Sequence, residues 1–134
     1  MKPDLNSNPF IKMWLNKKEL GEKGEQLAAD FLIENGFEII ERNYRYSHGE
    51  IDIIAKDQSD GFTAFVEVKT RQNLDYGEPE YAITKNKQKQ IRKVAELYLY
   101  DKEIEELDCR FDVITVLLED NNNPSIKHYS NAFM

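Results

Sequence analysis

GEIDIIAKDQSDGFTAFVEVKTR, residues 49–71, is the most informative part of this chain. It contains two short apolar runs, at 50–56 and 62–70, separated by the polar segment DQSDG, which is typical of a turn. We therefore expect the two runs to pair as a β-hairpin. Charged residues interrupt both runs. Glu67 and Lys69 lie two residues apart, so they share one face of their strand.

Strand alternation also predicts the surroundings of Asp52 in the first run. Ile51 and Ile53 are expected on one face of this strand, and Asp52 is expected on the other face with Ile54. Folding the hairpin at its turn brings Asp52 opposite the middle of the second run. Asp52 and Glu67 are therefore expected to be near neighbours.

Two carboxylates and an ammonium group on one sheet face indicate metal-dependent phosphodiester hydrolysis. Asp52 and Glu67 would repel each other unless a cation or a proton lay between them. Oxygen ligands favour Mg²⁺ or Mn²⁺, and Lys69 would orient or help to deprotonate an attacking water. The alternative is a solvated strand face whose charges simply pair across the sheet, and the pattern alone leaves both interpretations open.

The first helix, predicted over 17–35, offers a third carboxylate. Glu25 lies at one edge of the apolar stripe of this helix, in phase with Leu32. Gly21 and Gly24 thin the same part of the helix and permit a close approach to the sheet. Glu25 is therefore a candidate metal ligand, and a solvent-exposed boundary glutamate is the alternative.

Basic residues gather at the start of the second predicted helix, at about 85–100. The positive end of that helix would then face a phosphate group. Together with arginines of the strands, these residues predict a basic rim for nucleic acid, and a solvated basic helix face is the alternative. The predicted nucleic-acid-binding residues are Arg45, Arg71, Lys85, Lys87 and Lys89.

The whole chain reads as one α/β domain with the element order α-β-β-β-α-β-β, a mixed sheet with helices packed on it. The step from the third strand through a helix to the fourth suits a right-handed parallel crossover. The remaining predicted strands lie at 37–46, 110–118 and, as a short edge strand, 125–129.

Composition limits the class of protein. The chain has 134 residues, a formal net charge of −7 and one cysteine, Cys109, so a disulfide framework within the chain is excluded. We expect an N-terminal arm at 1–16 and a single domain at 17–134 in a cytoplasmic protein. The longest apolar stretches are only strand-sized, so no membrane span is expected.

Several motifs together resemble the YraN-type family of small bacterial proteins, over about residues 20–133. The motifs are Gly24-Glu25 followed by Ala28, Gly49-Glu50-Ile51-Asp52, Phe65 through Arg71, Gly77 with Pro79, Lys87, Ala95 with Tyr98-Leu99, and Asn131-Ala132-Phe133. That family resembles the PD-(D/E)xK nuclease superfamily. The resemblance implies a restriction-endonuclease-like three-layer fold, similar to that of Holliday-junction resolvases.

The resemblance also implies roles for individual residues. Asp52 and Glu67 match the metal ligands, Lys69 matches the catalytic lysine, and Glu25 matches the glutamate of the first helix. Ile51 stands where the motif has its proline, and members of the family commonly lack that proline. Glu50 is expected in a supporting position beside the site.

The expected function is a Mg²⁺-dependent (or Mn²⁺-dependent) endonuclease-like activity on DNA, with branched or damaged DNA as candidate substrates. The first alternative is a binding or adaptor module that keeps the nuclease fold without catalysis, which the acidic net charge motivates. A hydrolase acting on a phosphoester outside nucleic acids is a more remote alternative. Resolvase-like enzymes often dimerise, so a homodimer is a further expectation from the resemblance.

Overall fold

The computed structural model describes residues 16–72, 81–118 and 123–134. Within these ranges the element order is α-β-β-β-α-β-β, as the sequence predicted. The elements are α1 (Lys17–Glu34), β1 (Phe37–Tyr46), β2 (Gly49–Asp57), β3 (Thr63–Arg71), α2 (Lys85–Asp101), β4 (Cys109–Leu117) and β5 (Ser125–Phe133). Except for Asn16, the predicted arm lies outside the described residues.

Both helices begin at side-chain caps that the sequence contains. The Asn16 side chain accepts a hydrogen bond from the backbone N–H of Glu19 at 2.8 Å, and Thr84 accepts one from Lys87 at 3.2 Å. Such caps satisfy N–H groups that have no partner inside the helix. After α1 the chain turns through Gly36, whose φ of 87° favours glycine. Neither described helix is long and apolar enough to cross a bilayer.

The five strands form one mixed sheet in the order β1-β2-β3-β4-β5. Neighbouring strands are antiparallel except for β3 and β4, which pair in parallel and are connected through α2. This pairing confirms the predicted hairpin of β2 and β3 and the parallel β3–β4 step. The helices cover opposite faces, so the protein is a three-layer α/β structure consistent with a restriction-endonuclease-like fold.

Each face of the sheet has its own apolar core. The α1 side buries Ala28 and Leu32 of the helix against Ile53, Val66 and neighbours. The α2 side is the second core, and its buried members are Tyr44, Ile51, Ile54, Phe65, Ile91, Val94, Ala95, Tyr98, Val113 and Phe133. Because both faces are covered, the central strands are apolar on both sides, which explains their nearly continuous hydrophobic runs.

The predicted alternation of β2 is wrong around Asp52. Ile53 packs in the core on the α1 side, whereas Ile51 and Ile54 pack in the core on the α2 side. The pairing of β2 with β3 extends only from Ile53 to Lys56, so β2 leaves its partner at Asp52 and its pleat changes phase there. In β3 the alternation holds as predicted.

The last strand is longer than predicted. β5 runs from Ser125 to Phe133 and pairs antiparallel with β4, with a register shift near its end. Two contacts account for the extension. The Phe133 ring stacks on Phe111 with centroids 5.1 Å apart, and the Asn131 backbone N–H donates to the buried Asp112 at 2.9 Å.

Candidate metal centre

Three carboxylates lie close together where α1 packs near the start of β2. Glu25 of α1 and Glu50 and Asp52 of β2 each place a carboxylate oxygen within 4.8 Å of the others. We call these three residues the acidic cluster. They lie in a cleft of about 440 Å³, the acidic cleft, lined by Lys17, Lys18, Gly21, Glu22, Glu25, Asn43, Arg45, Glu50 and Asp52.

Gly24 brings α1 close enough to the sheet for Glu25 to reach this cluster. A Cβ atom at position 24 would overlap the side chain of Thr70 on β3. Gly24 is buried, and the helix backbone therefore lies directly against the strand. The neighbouring Glu25 is half-buried beside β2 as a result. The predicted close approach of this helix to the sheet is confirmed at Gly24.

Asp52 is held at the point where β2 and β3 separate. Its Oδ2 accepts a hydrogen bond from the backbone N–H of Val68 at 2.8 Å. The last regular pair of the two strands is Ile53 with Val66, so the carboxylate replaces a main-chain acceptor beyond that pair. The separation of the strands thus creates the site that the aspartate occupies.

Asn43 fixes two of the three carboxylates. With its amide nitrogen turned toward the acids, it donates to Glu50 Oε1 at 2.8 Å and to Glu25 Oε2 at 3.0 Å. Asn43 lies opposite Asp52 in the antiparallel pairing of β1 and β2, because Tyr44 pairs with Ile51. Asn43 is not among the site residues predicted from the sequence, and the β1–β2 register is the signal that identifies it.

Glu50 takes a larger part than the supporting position expected for it. Its carboxylate is a member of the acidic cluster, and its Oε2 also pairs with Arg45 Nε at 3.2 Å. Arg45 is 74% exposed, so this ion pair is well hydrated and contributes little to stability. Arg45 therefore remains at the rim of the acidic cleft.

The acids raise one another's pKa. Burial, followed by the charges of Asp52 and Glu50, raises the pKa of Glu25 to about 7. Burial and the charge of Glu50 raise the pKa of Asp52 to about 6, although the Val68 N–H and Lys87 oppose the shift. The full negative charge of the acidic cluster is therefore unfavourable, and a bound proton or cation would relieve it.

Glu67 is not a member of the acidic cluster, but the charges of the cluster affect its pKa. Burial, followed by the charge of Asp52, raises the pKa of Glu67 to about 8. Val66 and Val68, its neighbours on β3, pack toward α1, so alternation directs Glu67 toward the α2 side. The charge of Asp52 thus acts on Glu67, although Glu67 points to the other side of the sheet.

The basic residues surround this site in different ways. Lys69 Nζ donates to the carbonyl oxygen of Ala82, just before α2, at 2.6 Å. Lys87 is half-buried, and its charge lowers the pKa values of both Asp52 and Glu67. The remaining candidates for nucleic-acid binding are Arg71 at the end of β3, and Lys85 and Lys89, which are exposed on α2.

The fold and the acidic cleft together define a small three-layer α/β protein with a carboxylate site at separating strands. Residues 24–116 match the model of the family described as uncharacterised protein family UPF0102. The chain belongs to this family.

Several members of this family align with the chain over most of their own length. A UPF0102 protein of Trichlorobacter lovleyi is 51% identical over 114 residues, which cover 85% of this chain and 89% of that protein. One from Clostridium botulinum is 49% identical and covers 87% and 94%. One from Dictyoglomus turgidum is 44% identical and covers 78% and 86%.

Proposed function

We propose that this protein is a Mg²⁺- or Mn²⁺-dependent nuclease that hydrolyses phosphodiester bonds of DNA, with branched or damaged DNA as candidate substrates. The observation that carries the proposal is the acidic cluster, Glu25, Glu50 and Asp52, within 4.8 Å of one another. Glu67 adds a further carboxylate whose pKa rises with the charge of Asp52. Clustered, partly buried carboxylates in a cleft are typical of functional sites.

The donor set fits a hard divalent cation. The cluster offers only oxygen atoms, which Mg²⁺ and Mn²⁺ prefer over the nitrogen and sulfur ligands typical of zinc. Asp52, Glu67 and Glu25 are the proposed ligands from the sequence, and Glu50 joins them through its place in the cluster. A bound cation would polarise a phosphoryl oxygen and lower the pKa of a bound water.

The cationic side chains of Lys87 and Lys69 supply positive charge, which the carboxylates cannot provide. Lys87 lies where its charge already acts on Asp52 and Glu67, so it can offset the negative charge of an incoming phosphate. Lys69 is assigned to orienting the attacking water, with its ammonium group held by the Ala82 carbonyl. In the reaction a water oxygen would bond to phosphorus and give its proton to solvent, the bond from phosphorus to one ester oxygen would break, and that oxygen would leave as a hydroxyl group after taking up a proton from solvent.

The test is cleavage of linear and branched DNA by the full chain during titration with Mg²⁺ and Mn²⁺. Asp52→Asn and Lys69→Ala should each reduce the cleavage rate at least about 100-fold, the scale of losing a group that stabilises the transition state. Glu96→Gln changes an exposed acid on α2 and serves as the matched control. Equal cleavage by all four proteins, or cleavage of no substrate, would refute the proposal.

A second candidate function is a nucleic-acid-binding adaptor without catalysis. The formal net charge of −7 motivates this alternative only where a local basic patch exists, and Lys85, Lys87 and Lys89 at the start of α2 offer such a patch. Calorimetry separates the two candidates. DNA binding with no heat from Mg²⁺ or Mn²⁺, together with no cleavage, would support the adaptor and exclude the nuclease.

A further inference from the structure

A second cleft lies on the α2 side of the same β1–β2 hairpin. It has a volume of about 420 Å³ and a largely apolar lining, and we call it the apolar cleft. Pockets that hold small organic groups commonly have this size and character. It is lined by Tyr46, His48 and Gly49 of the hairpin tip and by Gln90, Lys93 and Val94 of α2.

The cleft is a fixed feature because the hairpin tip is locked onto α2. A Cβ atom at Gly49 would overlap Val94, so the tip backbone lies directly against the helix. Gln90 Nε2 donates to the carbonyl oxygen of His48 at 2.9 Å, which holds the tip from the other side. Both contacts are made by lining residues, so the cleft does not depend on a ligand to form.

The hairpin connects the apolar cleft to the acidic cleft. Tyr46 and Gly49 line the apolar cleft, whereas their neighbours Arg45 and Glu50 line the acidic cleft. This division follows from the alternation of side chains along paired strands. An extended ligand bound at the acidic cleft therefore needs to pass only the hairpin tip to reach the apolar cleft.

We propose that the apolar cleft binds an unpaired nucleobase of the DNA strand whose backbone lies at the acidic cleft. This inference rests on the proposed function and adds the part of the substrate that is recognised. The Tyr46 side chain, 45% exposed at the cleft, presents an aromatic ring on which a base can stack. The Gln90 amide group carries two N–H groups, so its bond to His48 leaves one that can donate to a base edge.

Charge complementarity favours a nucleic acid over an apolar peptide. Lys85, Lys89 and Lys93 are all exposed and follow one another at intervals of four residues along α2. They form one stripe with steps of about 6 Å, and Lys93 itself lines the apolar cleft. In a protein of net charge −7, such a stripe leading to a cleft suits a phosphate backbone with its base in the pocket.

The experiment compares two single-stranded DNA oligonucleotides that differ at one position, where one carries a thymine and the other an abasic spacer. Binding to the full chain is measured by fluorescence anisotropy in EDTA and again in Ca²⁺. The wild type should bind the oligonucleotide with the base about tenfold more tightly, the scale expected of one stacked base. Tyr46→Leu should reduce this ratio to less than about twofold.

Matched variants separate stacking from charge and from folding. Tyr46→Phe should keep the discrimination because it keeps the ring. Tyr100→Leu changes a tyrosine that is 84% exposed near the end of α2, and it should leave the discrimination unchanged. Lys93→Gln should weaken binding of both oligonucleotides equally and lower the salt slope by about 1.

The inference is overturned if the wild type binds both oligonucleotides equally, if Tyr46→Leu discriminates as the wild type does, or if neither oligonucleotide binds. Its failure is distinguishable from failure of the proposed function. Discrimination that depends on Tyr46 without any cleavage supports the base site and refutes the nuclease. Metal-dependent cleavage without discrimination supports the nuclease and refutes the base site.

Discussion

The backbone N–H of Val68 donates to Oδ2 of Asp52 at 2.8 Å, across the point where β2 and β3 separate. One carboxylate therefore has two tasks. It satisfies a main-chain donor of β3 that has no strand partner there, and it brings negative charge next to Glu25 and Glu50. The two tasks can be separated by substitution.

Asp52→Asn should remove the charge and keep the hydrogen bond, because the amide oxygen of asparagine can still accept from Val68. We expect the free energy of unfolding to change by less than about 1 kcal/mol. The pKa of Glu67 should fall, since the charge of Asp52 is its second-largest cause of elevation after burial. Chemical denaturation and NMR titration of the carboxyl groups measure these two quantities.

Asp52→Leu is the matched comparison. It leaves the Val68 N–H without its acceptor in a partly buried place, which should cost about 1–3 kcal/mol. If both variants lose the same stability, the hydrogen bond from Val68 is not what holds the strands at their separation.

Stability should decrease as pH rises through the neutral range in the absence of divalent cations. The folded-state pKa values are about 6 for Asp52, about 7 for Glu25 and about 8 for Glu67, above the usual range near 4. The native state thus binds more protons than the unfolded chain between about pH 4 and pH 8, so unfolding becomes easier as they dissociate.

Thermal unfolding at several pH values tests this sign. We expect the Tm to be lower at pH 8 than at pH 5 by at least about 3 °C, which corresponds to about 1 kcal/mol in a chain of this size. Glu67→Gln should make the decrease in Tm above pH 6 smaller, because Glu67 has the highest pKa of the three acids. A Tm that rises steadily from pH 5 to pH 8 in wild type would contradict the proposed electrostatics.

Two glycines of α1 should respond in opposite directions to alanine. Gly21 has open space where a Cβ would lie, so Gly21→Ala should stabilise the helix by about 0.5–1 kcal/mol. Gly24→Ala places a methyl group against Thr70 and should destabilise by about 1–3 kcal/mol. It should also weaken the proposed binding of Mg²⁺, because Glu25 moves away from β2 with the helix.

Urea denaturation of Gly21→Ala and Gly24→Ala measures the free energy of unfolding of each variant. Thr70→Ala combined with Gly24→Ala should recover part of the loss, since it removes two of the three atoms that the new methyl group meets. Equal effects at both glycines would show that helix propensity, rather than packing on β3, determines the outcome.

Asp112 should be the most sensitive acid for stability, although it lies outside the proposed site. It is fully buried and is held by Arg110 Nε at 3.1 Å and His128 Nε2 at 2.8 Å, as well as by the Asn131 N–H. Asp112→Ala leaves the His128 and Asn131 donors without their acceptor, while Arg110 keeps its ion pairs with Asp57 and Asp60, so the substitution should cost about 1–3 kcal/mol. Denaturant midpoints measure the loss.

Asp60 provides the control for Asp112. It also pairs with Arg110, at 3.0 Å, but it is 44% exposed. Because water compensates an exposed ion pair, Asp60→Ala should cost less than about 1 kcal/mol. Comparable losses in the two variants would mean that burial of Asp112 is not the source of its contribution.

Local pattern was enough to predict most of the architecture. The stripe of Leu32 and its neighbours identified α1, and the alternation of β3 gave the correct faces. These features depend on contacts between residues close in sequence or on the two covered faces of one sheet. The spacing of Glu67 and Lys69 was therefore informative before any tertiary contact was known.

The composition of the acidic cluster was decided only by the tertiary structure. The sequence by itself indicated Glu25, Asp52 and Glu67 as candidates, but it missed Asn43 and expected less of Glu50. Their places depend on the register of β1 against β2, and on the change of pleat phase where β2 leaves β3. Both result from long-range packing, and the periodicity of a single strand carries no information about where its partner departs.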